Sequence, residues 1–273
     1  MGIMDKLHIL QTVALPAALR AGETIMEIYA CPEDEWELER KGDNSPLTVA
    51  DRRAHHIIFD QLSHTPFPVL SEEGTQEDYD VRRGWQTFWL IDPLDGTKEF
   101  LKRNGEFTVN IALITDGCPV AGVVYAPVLR RVYYGAAGIG AFVADVQKDA
   151  EGTQELSSIC SLRRSVTQGV SERPFTVVAS RSHLSLETQT FIDVLRQTHP
   201  DLVTLQAGSS LKICRVAEGA ADVYPRFAPT MEWDTAAGDA VLRAAGGTML
   251  DAQLKTPLAY NKPDLHNPWF IAQ

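Results

Sequence analysis

Cysteine is scarce in this chain, and Cys31, Cys118, Cys160 and Cys214 stand far apart with no C-x-x-C couple. Such spacing argues against a zinc site and against a disulfide framework, and predicts reduced thiols in a cytosolic protein. Long hydrophobic runs are missing as well: none approaches the roughly 18–20 residues that a membrane span needs. The N-terminus has no basic stretch leading into an apolar one, so no export signal is read there. Positive charge is in deficit, with Lys+Arg 25 against Asp+Glu 36 and a formal net charge of −11. That balance argues against nonspecific binding to nucleic acid or to an anionic membrane surface. Internal repeats and low-complexity segments are also absent. What is present is the composition of a globular protein, 44% hydrophobic and 22% charged over 273 residues. That length suffices for one large domain or two closely packed ones. The expectation is a soluble cytoplasmic protein; peripheral association with the inner membrane and the oligomeric state are left open.

One stretch concentrates chemistry. Trp89, Leu90 and Ile91 read as the end of a buried strand, and Asp92 follows at once. Pro93 has no N–H to donate and is expected to end the ladder. Asp95 adds a second carboxylate, Gly96 permits close approach of backbone to a ligand, and Thr97 and Lys98 begin a helical turn. The pattern fits a site for cations and a phosphate, and it fits an ordinary strand, Asp-Pro turn and helix cap equally well. Two distant stretches bear on the choice. Val69, Leu70 and Ser71 form a strand running into Glu72, Glu73 and Gly74, and Asp234 opens an Ala-rich helix that runs to Ala245 and stops at Gly246-Gly247.

Elsewhere the periodicities are plain. Leu7, Leu10, Ala14, Ala18, Ala21, Ile25 and Ile28 keep helical spacing over residues 5–29, with Pro16 marking a kink or the start of the regular part. Residues 31–46 are acidic and broken by Pro32, Gly42 and Pro46, predicting a surface excursion or an irregular hairpin. A second helix follows, with Ala54, Ile57, Ile58 and Leu62 inward; His55 and His56 on it lack metal-ligand spacing and read as surface or packing residues. Strands are predicted at 107–115, 120–126, 131–136 and 141–144, an antiparallel meander with a turn at Asp116-Gly117. Residues 147–173 are polar and poorly periodic, and read as the connection between halves 1–150 and 151–273. In the second half, strands at 175–179, 202–206, 221–224 and 248–250 alternate with helices at 186–197, 209–218 and 234–245, which suggests an α/β layer.

Taken together, Glu72-Glu73, Asp92-Pro-Leu-Asp-Gly-Thr97 and Trp233-Asp-Thr-Ala-Ala237 resemble, in order, the signatures of the inositol monophosphatase superfamily of magnesium-dependent, lithium-sensitive phosphatases. Ser71-Glu-Glu, the run from Asp92 to Ile114 and Gly208-Ser-Ser-Leu-Lys-Ile-Cys214 are similar to its CysQ-type 3'(2'),5'-bisphosphate nucleotidase branch. The resemblance spans nearly the whole chain. It implies a five-layer αβαβα sandwich, α/β in class and of the inositol monophosphatase/fructose-1,6-bisphosphatase type, with the active site between the halves. It implies two or three Mg2+ ions: Glu72, Asp92 and the Leu94 carbonyl around one, and Asp92, Asp95 and Asp234 around a second, with Glu73 outside the direct ligands. Asp51 and Thr97 resemble the pair that orients the attacking water, although Asp51 also reads as a helix cap. Catalysis would thus rest on Asp51, Thr97 and Glu72.

For the substrate, the resemblance implies contacts from Leu94, Asp95, Gly96, Thr97 and Asp234 to the scissile phosphate, and from Ser180 and His183 to the nucleoside. Ser209 and Lys212, one helical turn apart, would meet a second phosphate, assisted by Lys98 or Arg226; Arg226 reads equally as half of a salt bridge between the halves. The implied substrate is 3'-phosphoadenosine 5'-phosphate, a by-product of sulfate assimilation, and no nucleic-acid partner is expected. Because the chain is acidic overall, cations and local Lys and Arg side chains would have to reverse the field around such an anion. Inositol monophosphatase, sugar bisphosphatase and a non-catalytic metal or nucleotide sensor are the alternatives. The retained Asp51 and Thr97 speak against the sensor, since binding alone needs no pair to activate water.

Overall fold

The computed structural model describes residues 2–42, 46–75, 77–162, 173–179 and 185–273. Its first layer is helical. Helix α1 (Ile3–Ile9) passes through a π-helical turn, Leu10–Ala14, into α2 (Leu15–Ala30). The turn lies just before Pro16, whose missing N–H interrupts the regular ladder, so the proline marks the start of the regular helix. After α2 the short 3-10 helix Glu33–Trp36 buries Trp36, and Glu39–Arg40 pairs antiparallel with Pro46–Leu47 as an irregular hairpin. Helix α3 (Val49–Ser63) packs beside α2, with Ala54, Ile58 and Leu62 fully buried at helical spacing.

These helices cover one face of a seven-stranded sheet that follows the chain: β1 (Val69–Ser71), β2 (Thr87–Asp95), β3 (Thr108–Thr115), β4 (Cys118–Ala126), β5 (Arg131–Ala136), β6 (Gly140–Lys148) and β7 (Gln154–Leu162). Only β1 and β2 run parallel. Between β2 and β3 lies the short helix α4 (Thr97–Leu101). Period-two alternation sends Trp89 and Ile91 into the core under α2 and α3, and Phe88 and Leu90 into the core on the opposite face. Each of these side chains contributes roughly 1.5–3 kcal/mol by its burial. Two expectations need correction. Pro93 does not end the ladder: it sits in a bulge between the Asp92–Asn110 and Asp95–Thr108 pairs, and pairing resumes beyond it. Within the predicted connection, β7 is a full strand, missed because it is an edge strand with mostly exposed side chains and so shows no apolar alternation.

The second half completes the layers. Strands β8 (Thr176–Ala179) and β9 (Val203–Gln206) are parallel, with α5 (Leu186–Thr198) between them in sequence. After α6 (Leu211–Ala217) come β10 (Tyr224–Arg226), α7 (Glu232–Ala244), β11 (Met249–Asp251) and β12 (Phe270–Ala272). A bridge between Val177 and Val223 joins the β8–β9 pair to the three-stranded β10–β12–β11 sheet. The predicted strand at 221–224 therefore begins three residues later, and β12, a central strand at the chain end, was not expected. Helices α6 and α7 lie between the two sheets, and α5 packs outside the smaller one around Val177, Ile192, Leu202 and Val223. The order is helices, sheet, helices, sheet, helix. Contact between α7 and the large sheet is very close: a Cβ added at Gly122 on β4 would stand 2.5 Å from the Ala237 carbonyl oxygen.

Candidate active site

Parallel pairing of β1 with β2 sets Ser71 opposite Ile91, and Glu72 N–H donates to the Ile91 carbonyl at 3.2 Å. The acidic ends of two neighbouring strands therefore meet. Asp234 reaches the same point from the first turn of α7, where its Oδ2 also accepts from Met231 N–H at 2.9 Å. Carboxylate oxygens of Glu72, Asp92 and Asp234 all lie within 4.8 Å of one another. Burial pushes Asp92 well above the ordinary carboxylate range, and Glu72, Asp95 and Asp234 push it further. Asp234 is raised by burial and by Asp95. Buried carboxylates this close repel strongly unless protons or cations intervene, and oxygen-only donors suit a hard divalent ion such as magnesium. The donor set fits the implied metal. The tightest trio takes one residue from the first predicted ligand set, one from the second and Asp92 from both; Asp95 lies beside it, its Oδ2 bound to Ser210. Leu94 is buried, its N–H donates to Asp92 Oδ1 at 3.1 Å, and its carbonyl lies 3.5 Å from Thr97 Oγ1.

Asp51 is not the N-cap of α3 but belongs to its capping box, and it also meets Thr97. Thr48 is the N-cap of α3 and Asp51 the third residue of its capping box; Asp51 Oδ2 accepts from Thr48 N–H at 2.7 Å and from Thr48 Oγ1 at 2.6 Å. Its other oxygen, Oδ1, accepts from Thr97 Oγ1 at 3.0 Å. Burial raises the Asp51 pKa against the lowering effect of these bonds. Gly96, at φ 96°, holds the left-handed turn that starts α4 and delivers Thr97 to this contact. Lys41 was missed in the sequence. From the hairpin, its Nζ donates to Glu72 Oε1 at 2.7 Å and Glu73 Oε1 at 2.5 Å. Burial acts to lower Lys41, but Glu72 and Glu73 overcome it and hold the ammonium charged. Its one available signal was the basic pair Arg40-Lys41 in an otherwise acidic, turn-rich segment. Glu73 is raised to about 7, chiefly by burial, and it shares the Lys41 ammonium with Glu72. His55 Nδ1 meets Ser71 Oγ at 2.9 Å and so packs against the strand end that carries Glu72.

A cavity of about 170 Å³ adjoins the carboxylates, and its walls include Asp95, Lys98, Ser209, Lys212, Arg226 and Asp234. Four residues that the sequence reading assigned to substrate, Lys98, Ser209, Lys212 and Arg226, thus share one pocket with the metal-ligand candidates Asp95 and Asp234. Lys212 is 8% exposed; its Nζ donates to the Ser209 carbonyl at 2.7 Å and lies 5.7 Å from the Tyr224 ring centroid. Among the described residues Arg226 forms no ion pair; its Nη2 donates to the Pro229 carbonyl at 3.1 Å, and its Nε is buried without a partner. Among the described residues the salt bridge between halves is therefore not formed. Ser180 and His183 lie outside the described residues.

Such a layered fold, with carboxylates from two strand ends and a helix start around a phosphate-sized pocket, defines a metal-dependent phosphatase. The chain belongs to the inositol monophosphatase family, whose model matches residues 6–269. It is 46% identical over 255 residues to the 3'(2'),5'-bisphosphate nucleotidase CysQ of Salmonella typhimurium, covering 93% of this chain and 95% of that protein. Against the CysQ of Escherichia coli K12 the identity is 46% over 256 residues, with the same coverage. Among solved structures, CysQ from Bacteroides thetaiotaomicron superposes with a TM-score of 0.82 at 51% identity, covering 95% of each chain. The extragenic suppressor protein suhB of Bartonella henselae gives 0.71 at 27% identity, over 96% of this chain and 92% of that one. No helix among the described residues is long and apolar enough to cross a membrane.

Proposed function

We propose that this chain is a magnesium-dependent 3'(2'),5'-bisphosphate nucleotidase that releases one phosphate from 3'-phosphoadenosine 5'-phosphate and leaves AMP. One arrangement supports the reading most: Lys98, Lys212 and Arg226 line the same cavity as Asp95 and Asp234, which matches a substrate with one phosphate at the carboxylates and another a short distance away. Glu72, Asp92, Asp95, Asp234 and the Leu94 carbonyl would hold two or three magnesium ions. Bound there, the ions supply positive charge to phosphate oxygens and make water a better nucleophile at neutral pH.

The remaining steps belong to the chain. Thr97 Oγ1 gives its single proton to Asp51 Oδ1 and keeps its lone pairs for a proton of the attacking water. As that water attacks phosphorus, its proton passes to Thr97 Oγ1 while the threonine proton moves to Asp51 Oδ1. Asp51 accepts it readily because burial has raised its pKa. Thr48 occupies Asp51 Oδ2, so only Oδ1 faces the reaction. Backbone N–H groups at Gly96 and Thr97 would hold the scissile phosphate, and Lys212, Ser209 and Arg226 the second one. The deciding assay compares magnesium-dependent phosphate release from 3'-phosphoadenosine 5'-phosphate, inositol 1-phosphate and fructose 1,6-bisphosphate. A clear preference in kcat/KM for the adenosine bisphosphate is expected; preference for either other substrate would overturn the reading.

A further inference from the structure

Asp95 is held by a dedicated set of donors. Its Oδ2 accepts from Ser210 N–H at 2.7 Å, Ser210 Oγ at 2.8 Å and Asn110 Nδ2 at 3.3 Å. Three donors on one oxygen saturate it and leave Oδ1 as the face free to bind a cation. Asn110 cannot present its amide the other way round, because its Oδ1 would then face Asp95 Oδ2, two acceptors with no proton between them. Its Nδ2 also donates to Ser210 Oγ at 2.9 Å, so the two residues brace each other. The single Ser210 hydroxyl proton is shared between Asp95 Oδ2 and the backbone carbonyl of Asp234, 2.7 Å away. Ser210 and Asn110 are 2% and 1% exposed. A buried serine thus joins the strand end carrying Asp95 to the helix start carrying Asp234.

We propose that Ser210 and Asn110 are positioning residues for the metal site: they fix Asp95 with Oδ1 presented to the ion and set its distance from Asp234. The inference rests on the reading of Asp95 and Asp234 as magnesium ligands. Hydrogen-bond partners of a metal ligand orient it, and their loss typically lowers metal affinity or activity by about 10–100-fold. Local geometry also provides a control. Ser209, at φ 52°, turns Ser210 N–H toward Asp95, and its carbonyl is the acceptor for Lys212 Nζ. Distortion of the turn would therefore disturb Lys212, whereas loss of the positioning contact alone would not.

The test measures magnesium affinity by calorimetry on substrate-free wild type, Ser210→Ala, Asn110→Ala and the double variant, together with melting temperatures and KM for the bisphosphate at saturating magnesium. Ser210→Ala removes one oxygen and keeps the backbone N–H bond, so about a 10-fold loss of affinity is expected. Asn110→Ala should cost a similar factor. The double variant should lose less than the product of the two, because both act on one carboxylate oxygen. KM for the bisphosphate should stay within about twofold, since Lys212 is untouched. If one variant fails to fold, the other decides. Unchanged magnesium affinity in a folded variant, a rise in KM matching the loss of affinity, or failure of both variants to fold would overturn the inference. A wild type that binds magnesium and loses affinity on Ser210→Ala, yet does not hydrolyse the bisphosphate, would sink only the proposed function. Hydrolysis by the wild type with normal magnesium binding in Ser210→Ala would sink only this inference.

Discussion

Replacing Lys212 with methionine tests the second-phosphate site with little damage to the fold. The ammonium is almost fully buried, and burial lowers its pKa to about 8, with Asp95 acting to raise it and Arg226 to lower it. Methionine retains most of the apolar stem and removes a buried charge, so the melting temperature should hold or rise. What is lost is a charge-assisted hydrogen bond to phosphate, worth about 1.5–3 kcal/mol, or roughly 10- to 150-fold in affinity. The assay is steady-state kinetics on 3'-phosphoadenosine 5'-phosphate and on adenosine 3'-monophosphate, which lacks the second phosphate. For the bisphosphate KM should rise by that factor with kcat nearly unchanged, whereas the monophosphate should be handled as by wild type. Above pH 8 the wild-type lysine loses its charge, so wild-type KM for the bisphosphate should climb with pH while the variant stays flat. Equal losses on both substrates, or none on either, would refute the placement of Lys212.

Asp92→Asn should reduce turnover below a tenth of wild type at saturating magnesium and weaken metal binding, while the metal-free variant melts no lower, because a buried repelled charge is gone; retained turnover would count against the central role of Asp92. Acidity should stabilise the metal-free protein. Asp234, Glu73 and Asp239 have folded pKa values raised to about 8, 7 and 6, above unfolded values near 4, so the folded state holds more protons in that window and stability falls as pH rises through it. Melting temperatures in chelator should therefore rise between pH 8 and pH 5.5, and the gain from added magnesium should shrink over the same range; a flat profile would contradict this. Gly122→Ala should cost about 1–3 kcal/mol in denaturant unfolding, since the methyl meets the Ala237 backbone and pushes away the helix carrying Asp234. Lithium should inhibit at concentrations where sodium does not, measured at matched ionic strength; equal responses would argue against the family-type site.

Local sequence alone settled a good deal. The strand end at Ser71, the buried strand through Trp89–Ile91, the helix start at Thr97, the helix that carries Asp234 in its first turn and the meander from 107 to 144 all follow from apolar period and from Pro, Gly and Asp at turns, which act within a few residues. Those same signals put carboxylates at strand ends and at a helix start; the resemblance to the inositol monophosphatase superfamily is what implied Glu72, Asp92, Asp95 and Asp234 as metal ligands and Thr97 as the partner of Asp51. Other features depended on partners far along the chain. The edge strand Gln154–Leu162 and the central strand Phe270–Ala272 exist because a neighbouring strand offers hydrogen bonds, which composition does not record. Lys41 carries no motif, and only the hairpin fold brings its ammonium to Glu72 and Glu73. The sequence left Asp51 as either cap or catalytic partner; in the tertiary structure Thr48 is the cap, and one Asp51 carboxylate oxygen accepts from Thr48 and the other from Thr97. Ser210 and Asn110, 100 residues apart, meet at one oxygen of Asp95 because helices and sheets of both halves pack there. Chain pattern specifies which groups a segment can offer, but hydrogen bonds of 3 Å reach between segments only after the layers have closed around them.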